Sequence, residues 1–428
     1  MQYNIGAMEE LEEHLWERAQ EEWPSVARAH RWEFQVLRWC MADPGLRTQA
    51  LRFIDCLPSL SDPRDVVRHL REYFPGQVLR PPVGRMHLPA PLRLGLAAAG
   101  SALFTARAAA AATRHTASSI ARLFIAGAGL EEAAGPIRRM EEAGYGVTVD
   151  LLGEATVSRA EADQYAERYV ELIRGWKRLL SSPPHVSLKL SSLAYPFDPV
   201  DPEGALRQIA PRFGRIFQAA LAGGGFVNID MEQRHLRDLT LELAQRLLEE
   251  EFPDQTALGV VVQAYLKDSE QVTRRLLEWA KRVRPGITVR LVRGAYWDTE
   301  VIWSRQRSWP CPVYTRKEET DASFDRLAAL LLEHHKVVKV AIGTHNTRSL
   351  ARAIALARRL NIPPGRWECQ MLYGMSEPLQ RAVLAEGAPL RIYTPVGELI
   401  PGMAYLVRRI LENTSQYSFF AMGLQHAE

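Results

Sequence analysis

The chain has 428 residues, 47% of them hydrophobic and 24% charged, and its 53 Lys plus Arg against 50 Asp plus Glu leave a formal net charge of +3. That balance excludes a disordered, collagen-like or fibrous chain, and near-neutrality gives no footing for nucleic-acid binding. Cys40, Cys56, Cys311 and Cys369 lie far apart with no C-x-x-C pair, so neither a zinc site nor a disulfide framework is expected, and a reducing compartment fits.

The N-terminus is acidic and amphipathic, unlike the basic-then-apolar layout of a signal peptide. The charge-free stretch at 94–106 is well short of the roughly 20 residues a spanning helix needs. A cytoplasmic protein is expected, with peripheral attachment at the inner face of a membrane left open. The first third reads as helix, broken at Pro24, Pro44, Pro58, Pro63 and Pro75. Its tryptophans, Trp16, Trp23, Trp32 and Trp39, are assigned to a core. Residues 76–91 are proline-rich and aperiodic, a linker. Ala-rich helix follows over 92–127, and Arg107, Arg114 and Arg122 recur along one face, read as solvated.

After Gly144 short β-rich runs alternate with longer amphipathic segments. The runs are 147–152, 186–190, 226–231, 258–265, 287–292, 337–343, 367–372 and 390–393. Helical patterns lie at 158–180, 202–222 and 268–284, among others. Eight strand–helix units in this length predict a (β/α)8 TIM-type barrel, an α/β fold preceded by an all-helical N-terminal region. A doubly wound sheet is the runner-up, but Gly223-Gly224-Gly225 precedes a strand and cannot present helix N–H groups to a pyrophosphate. The expected division is a helical arm and linker at 1–90, an Ala-rich helical segment at 91–135 and the barrel at 136–428.

Barrel chemistry sits at the carboxyl ends of the strands. Followed in order, those ends supply Glu154, Lys189, Asp230, Gln263, then Arg290 and Arg293 with Gly294, Tyr296 and Trp297, then Thr344, His345 and Asn346, then Gln370, and last Tyr393. Arg290 is the sharpest case, because a guanidinium inside an apolar strand needs a partner. Either it is buried against a carboxylate such as Asp230, or it is a fixed charge beside a ligand that becomes negative. Near the C-terminus Arg408, Arg409 and Glu412 share the polar side of an apolar helix; they suit solvated ion pairs or, above a barrel mouth, a bound carboxylate. The histidines show no H-x-x-x-H or H-E-x-x-H pattern, so no metal is expected, and no Ser or Cys sits in a G-x-S-x-G elbow.

The stretches RLFIAG (122–127), LLGEA (151–155), SLKLSSL (187–193), VNIDME (227–232), VVQAYLKD (261–268), RLVRGAYWD (290–298), PVYTRK (312–317), GTHN (343–346), QMLYGMSEP (370–378), RIYTPVGE (391–398) and YLVRRILEN (405–413) resemble, in order, the proline dehydrogenase family. The likeness is greatest to the proline dehydrogenase portion of bifunctional proline utilization A proteins and covers about 120–420. It implies FAD as cofactor and L-proline as substrate, oxidised to Δ1-pyrroline-5-carboxylate by hydride transfer from proline C5 to flavin N5, with a membrane quinone as final acceptor. It implies that Arg408, Arg409 and Lys189 hold the proline carboxylate, that Glu154 pairs with Arg408, and that Tyr296 and Tyr393 wall the ring. Asp230 and Arg290 are the implied catalytic pair, Arg290 also touching the flavin. Met231, Gln263, Arg293, Gly294, Ala295, Trp297, Thr344, His345, Asn346, Gln370 and Glu412 match flavin-contacting positions. Arg293 stands where the family usually has Lys, Tyr373 where His is common, and Ser376 where Gly is common. The chain ends without room for the usual aldehyde dehydrogenase module, which makes it a stand-alone enzyme or one piece of a bifunctional protein. A pyrroline-5-carboxylate (glutamate semialdehyde) dehydrogenase module or protein is thus an open partner. Hydroxyproline oxidation, an idle scaffold barrel and a methylenetetrahydrofolate reductase-like flavin barrel are the competing readings.

Overall fold

In the computed structural model, which describes residues 5–29, 44–74, 106–153, 156–398 and 402, eight parallel strands close in sequence order into one barrel. The strands are β1 (Gly146–Leu151), β2 (His185–Leu188), β3 (Phe226–Ile229), β4 (Leu258–Gln263), β5 (Thr288–Val292), β6 (Lys339–Gly343), β7 (Trp367–Leu372) and β8 (Leu390–Val396). The last strand runs three residues beyond the expected end and pairs along all of β1, from Gly146↔Arg391 to Leu151↔Val396. The expected fourth run instead stops short at Gln263, where the chain turns to build the rim. The (β/α)8 barrel with a helical front is the fold.

Before the barrel come α1 (Ile5–Ala29), α2 (Pro44–Cys56), α3 (Pro63–Tyr73), α4 (Ala106–Ala121) and α5 (Leu130–Glu142). Around the strands lie α6 (Arg159–Leu179), α7 (Pro202–Leu221), α8 (Arg234–Arg246), α9 (Ser269–Arg282), α10 (Trp297–Gln306), α11 (Lys317–Glu333), α12 (Thr347–Arg359) and α13 (Glu377–Ala385). Local chemistry fixes where they begin. Ser158 accepts from the Glu161 N–H ahead of α6, and Asp201 accepts from the Gly204 N–H ahead of α7, whose first residue is Pro202. Tyr165, Tyr169, Ile173 and Trp176 recur every three or four residues on α6 and are all buried.

Trp23 is buried in the hydrophobic core and Trp16 packs against it; Trp32, Trp39 and the linker at 76–91 lie outside the described residues. Helix α1 lies against α12 and α13, with Glu22 paired to Arg381 at 2.8 Å and His14 to Glu386 at 3.1 Å. Arg114 corrects the reading of a solvated arginine face, because its guanidinium donates to the Leu60 carbonyl and ties α4 to the segment before α3. The His334-His335 pair, at the end of α11, is half-buried, each ring bonded to a backbone carbonyl of its own helix. Among the described residues no helix is long and apolar enough to cross a membrane.

Parity along the strands decides what enters the barrel. Thr148 and Asp150 on β1, Ser187 on β2, Asn228 on β3 and Arg290 on β5 share the inward face, with Gln370 on β7 and Tyr393 on β8. The alternate residues Val147, Val149, Val186, Val227, Val289 and Leu291 are buried in the hydrophobic core. The interior is therefore polar along much of its length, and its charges are paired. Near the amino ends Arg391 meets Glu368 at 2.9 and 3.1 Å and donates to the Val147 carbonyl at 3.0 Å.

Candidate active site

Asp230 follows β3 and stands at the centre of the barrel mouth. It accepts from Arg290 at 2.6 Å and from Asn228 at 2.9 Å through Oδ1, and from the Tyr393 hydroxyl at 2.7 Å through Oδ2. Arg290 also donates to Ser187 Oγ at 3.0 Å, and Ser187 lies 3.1 Å from Thr148 Oγ1. Five strands thus contribute to one network across the barrel, with side-chain exposures of only 5% for Arg290 and 13% for Asp230. The ion-paired alternative for Arg290 is what the geometry contains. The second alternative is still compatible with it, since a paired guanidinium remains a fixed dipole at the mouth.

Tyr393 sits 5.4 Å from the Arg290 guanidinium, measured at its ring centroid. Burial and the carboxylates of Asp150 and Asp230 push its phenol well above the ordinary tyrosine range, so the hydroxyl stays a donor through the physiological range. Tyr393→Phe should therefore cost about 1.5–3 kcal/mol, the worth of a hydrogen bond to a charged group. A denaturant melt of the purified variant checks it; an unchanged midpoint contradicts the geometry.

Lys189 follows β2 one layer nearer the rim than Ser187, its Nζ 3.8 Å from Asp150 Oδ1. Gln263 closes β4 and donates to the Glu232 carbonyl at 2.9 Å, fastening the loop that carries Asp230 and the buried Met231. Gln370 on β7 donates to Glu368 at 2.6 Å. The Oε1 atoms of Gln263 and Gln370 are buried and have no hydrogen-bond partner among the described residues. At the end of β5, Arg293 uses its fork three ways, to Asp321 at 2.7 Å, Thr344 at 2.5 Å and Ser349 at 3.0 Å, while its plane lies 4.4 Å from the Phe324 ring centroid. A lysine has no such fork.

Gly294 follows with φ +127°, and a Cβ there would stand 2.4 Å from the Tyr265 ring. That close approach lets the chain turn through the exposed Ala295 into Tyr296, the N-cap of α10, and Trp297, whose indole donates to the Tyr314 carbonyl at 2.8 Å. The buried Glu300 of α10 accepts from the Arg234 backbone N–H at 2.6 Å, joining α10 to the start of α8. After β6, Thr344 accepts from the Asn346 N–H, Asn346 caps α12 through the Ser349 N–H, and His345 Nε2 accepts from the Leu372 N–H at 2.9 Å. That last bond places the proton of a neutral ring on Nδ1.

The mouth brings together Lys189, Asp230, Arg290 and Tyr393; Gln263, Arg293, Gly294, Tyr296, Trp297, Thr344, His345, Asn346 and Gln370 lie on neighbouring strand ends and loops. Glu154, Arg408, Arg409 and Glu412 lie outside the described residues. Residues passed over by the sequence reading are Asp150, Ser187, Asn228 and Asp321. Asp150 carried a signal, for it is a carboxylate within the apolar strand VTVDL, the same anomaly that singled out Arg290. Asp321 carried none, because it sits on α11 and meets Arg293 only through the fold.

A parallel eight-stranded barrel that gathers charged side chains at its carboxyl rim has its candidate site where barrel enzymes carry theirs. A family model described as proline dehydrogenase matches residues 133–422, and one described as the proline utilization A N-terminal domain matches residues 7–124. The chain belongs to the proline dehydrogenase family. The bifunctional protein PutA of Escherichia coli (strain K12) is 35% identical over 309 residues, 69% of this chain and 23% of that protein. The proline dehydrogenase of Deinococcus radiodurans is 30% identical over 306 residues, 72% of this chain and 90% of that protein. The chain spans about a quarter of the length of the bifunctional relatives it matches. Among solved structures, proline utilization A from Bdellovibrio bacteriovorus, inactivated by N-propargylglycine, is similar with a TM-score of 0.79 and 33% identity over 95% of this chain and 42% of that one. A Bradyrhizobium japonicum proline utilization A mutant, at 22% identity and a TM-score of 0.72 over 100% of this chain and 45% of that one, shows the same fold.

Proposed function

We propose that this chain is an FAD-dependent proline dehydrogenase, oxidising L-proline to Δ1-pyrroline-5-carboxylate as the first step of proline catabolism and passing electrons to a membrane quinone. The observation that carries this reading is the Asp230–Arg290–Tyr393 network at the barrel mouth, in a chain of this family. A flavin held at this mouth would supply the acceptor for a hydride from proline C5. Its fit is supported by the uncommitted buried oxygens of Gln263 and Gln370, which match the N–H edge of a flavin ring. Arg293, Gly294, Ala295, Trp297, Thr344, His345, Asn346, Met231 and, by motif, Glu412 would hold the remainder.

The chain's own residues act by binding and orienting. Lys189, with Arg408 and Arg409, would clamp the carboxylate, and Glu154 would steady Arg408. Tyr296 and Tyr393 would wall the apolar ring, and Asp230 would keep Arg290 and Tyr393 aimed. With its hydroxyl held on Asp230, Tyr393 would fill space that a ring hydroxyl needs, which favours proline over hydroxyproline. The division at 90 and 135 and a peripheral, inner-face location belong to the same proposal, as does a pyrroline-5-carboxylate dehydrogenase module or protein as partner. A steady-state assay with L-proline and a soluble quinone analogue, trapping the imine product, tests the reading. Turnover with proline and little with trans-4-hydroxy-L-proline is expected. A flavin-loaded protein that forms no imine overturns it.

A further inference from the structure

Asp150 stands on β1 with 3% exposure, deep enough that an unpaired carboxylate would be costly. Among the described residues the cation within ion-pair distance is Lys189, at 3.8 Å. Its other close polar neighbours, Tyr169 and Tyr393, are neutral hydroxyls that also serve other acceptors. Tyr169 comes within 3.4 Å of Asp150 Oδ1 but lies closer, at 2.6 Å, to the Ser187 carbonyl, to which it donates. Tyr393 donates to Asp230 at 2.7 Å, and Arg290 donates to Asp230 and Ser187. The charge of Asp150 is therefore balanced by Lys189. Lys189, 26% exposed, stands at the mouth with the Asp150 carboxylate 3.8 Å from its Nζ.

We propose that Asp150 is a positioning residue for Lys189, anchoring its ammonium from the barrel interior and keeping it cationic where a substrate carboxylate is to sit. The inference rests on the reading of Lys189 as part of the carboxylate clamp. The groups facing Lys189 are Asp150 from β1, Tyr165 from α6, Asp230 after β3 and Tyr296 after β5. Asp150 is the strongest of these and holds the ammonium well above the ordinary lysine range; the other three act in the same sense, and burial opposes them. Facing Asp150 are Lys189, Asp230, Tyr393 and Tyr169, and burial is the main influence that raises its carboxyl. A raised lysine stays charged beyond its ordinary range and loses its proton only at higher pH. Without Asp150, burial is less opposed and that loss moves to lower pH.

The test is pulse labelling of the holoprotein with acetic anhydride over roughly pH 7 to 10.5, read by mass spectrometry at Lys189 against the exposed Lys281 and Lys336. Lys189 in the wild type should stay nearly unlabelled through the range. In Asp150→Asn the labelling midpoint should fall into that range, giving at least about tenfold more labelling of Lys189 at its alkaline end. Asp150→Glu should return toward the wild type. In parallel, kcat/KM for proline in Asp150→Asn should gain an alkaline fall, carried by KM. Lys189 in Asp150→Asn that stays as unlabelled as in the wild type up to about pH 10.5 overturns the inference. Should that variant not fold, wild-type Lys189 labelling in step with Lys281 overturns it, and lagging well behind supports it. A moved midpoint in a protein that leaves proline untouched keeps the role of Asp150 and removes the proline reading instead.

Discussion

Asp230→Ala is expected to be the most damaging single substitution at the mouth, lowering kcat/KM for proline by about 10²-fold or more and destabilising the barrel by about 3–5 kcal/mol. Both effects come from one loss. Arg290 is 5% exposed and donates to Asp230 at 2.6 Å, so removing the carboxylate leaves a guanidinium buried without its counter-charge. Tyr393 loses its acceptor in the same step. The stability part separates from the catalytic part in the double variant Asp230→Ala with Arg290→Met. Removing both charges should restore most of the melting temperature and none of the activity. Thermal melts and steady-state kinetics on the three variants check this, and a single variant that melts within a degree or so of wild type contradicts the burial of the pair.

Gly294→Ala should be nearly as costly, through geometry rather than charge. A residue at φ +127° is strained by any side chain, and the added methyl would lie 2.4 Å from the ring of Tyr265, itself packed with Leu266, Val301 and Val313. Backbone strain of about 1–3 kcal/mol and overpacking of similar size would be relieved by moving the turn. That turn carries Tyr296 and Trp297. Lower flavin content after purification and a fall in kcat/KM of about 10²-fold are expected, measured against Gly224→Ala, where φ is also positive but nothing lies within 4 Å. Equal behaviour of the two variants would show that the approach to Tyr265 does not matter.

The barrel was legible because its signal is a count: eight apolar runs at regular spacing admit few architectures. The end of β8 was not, because Thr394 and Pro395 break the apolar pattern while the backbone continues to pair with β1. At the site, Arg290 announced itself as a charge inside a strand, and its partner Asp230 was named as a candidate from the same reasoning. Asp150 obeys that rule equally, but the first strand was read at its end, four residues on, at Glu154. The wiring of Arg293 to Asp321, Thr344 and Ser349 was out of reach, since no spacing relates a strand end to a helix 28 residues on. It also gives the departure from Lys a physical meaning, because three simultaneous partners in a plane need a guanidinium.

The most direct measurement is an anaerobic titration of the purified protein with L-proline, following the flavin band at about 450 nm, with trans-4-hydroxy-L-proline as the control. Bleaching by proline at stoichiometric reduction, and little by the hydroxylated ring, is the expected result. A yellow protein that proline leaves oxidised would contradict the proposed reaction at the mouth of this barrel.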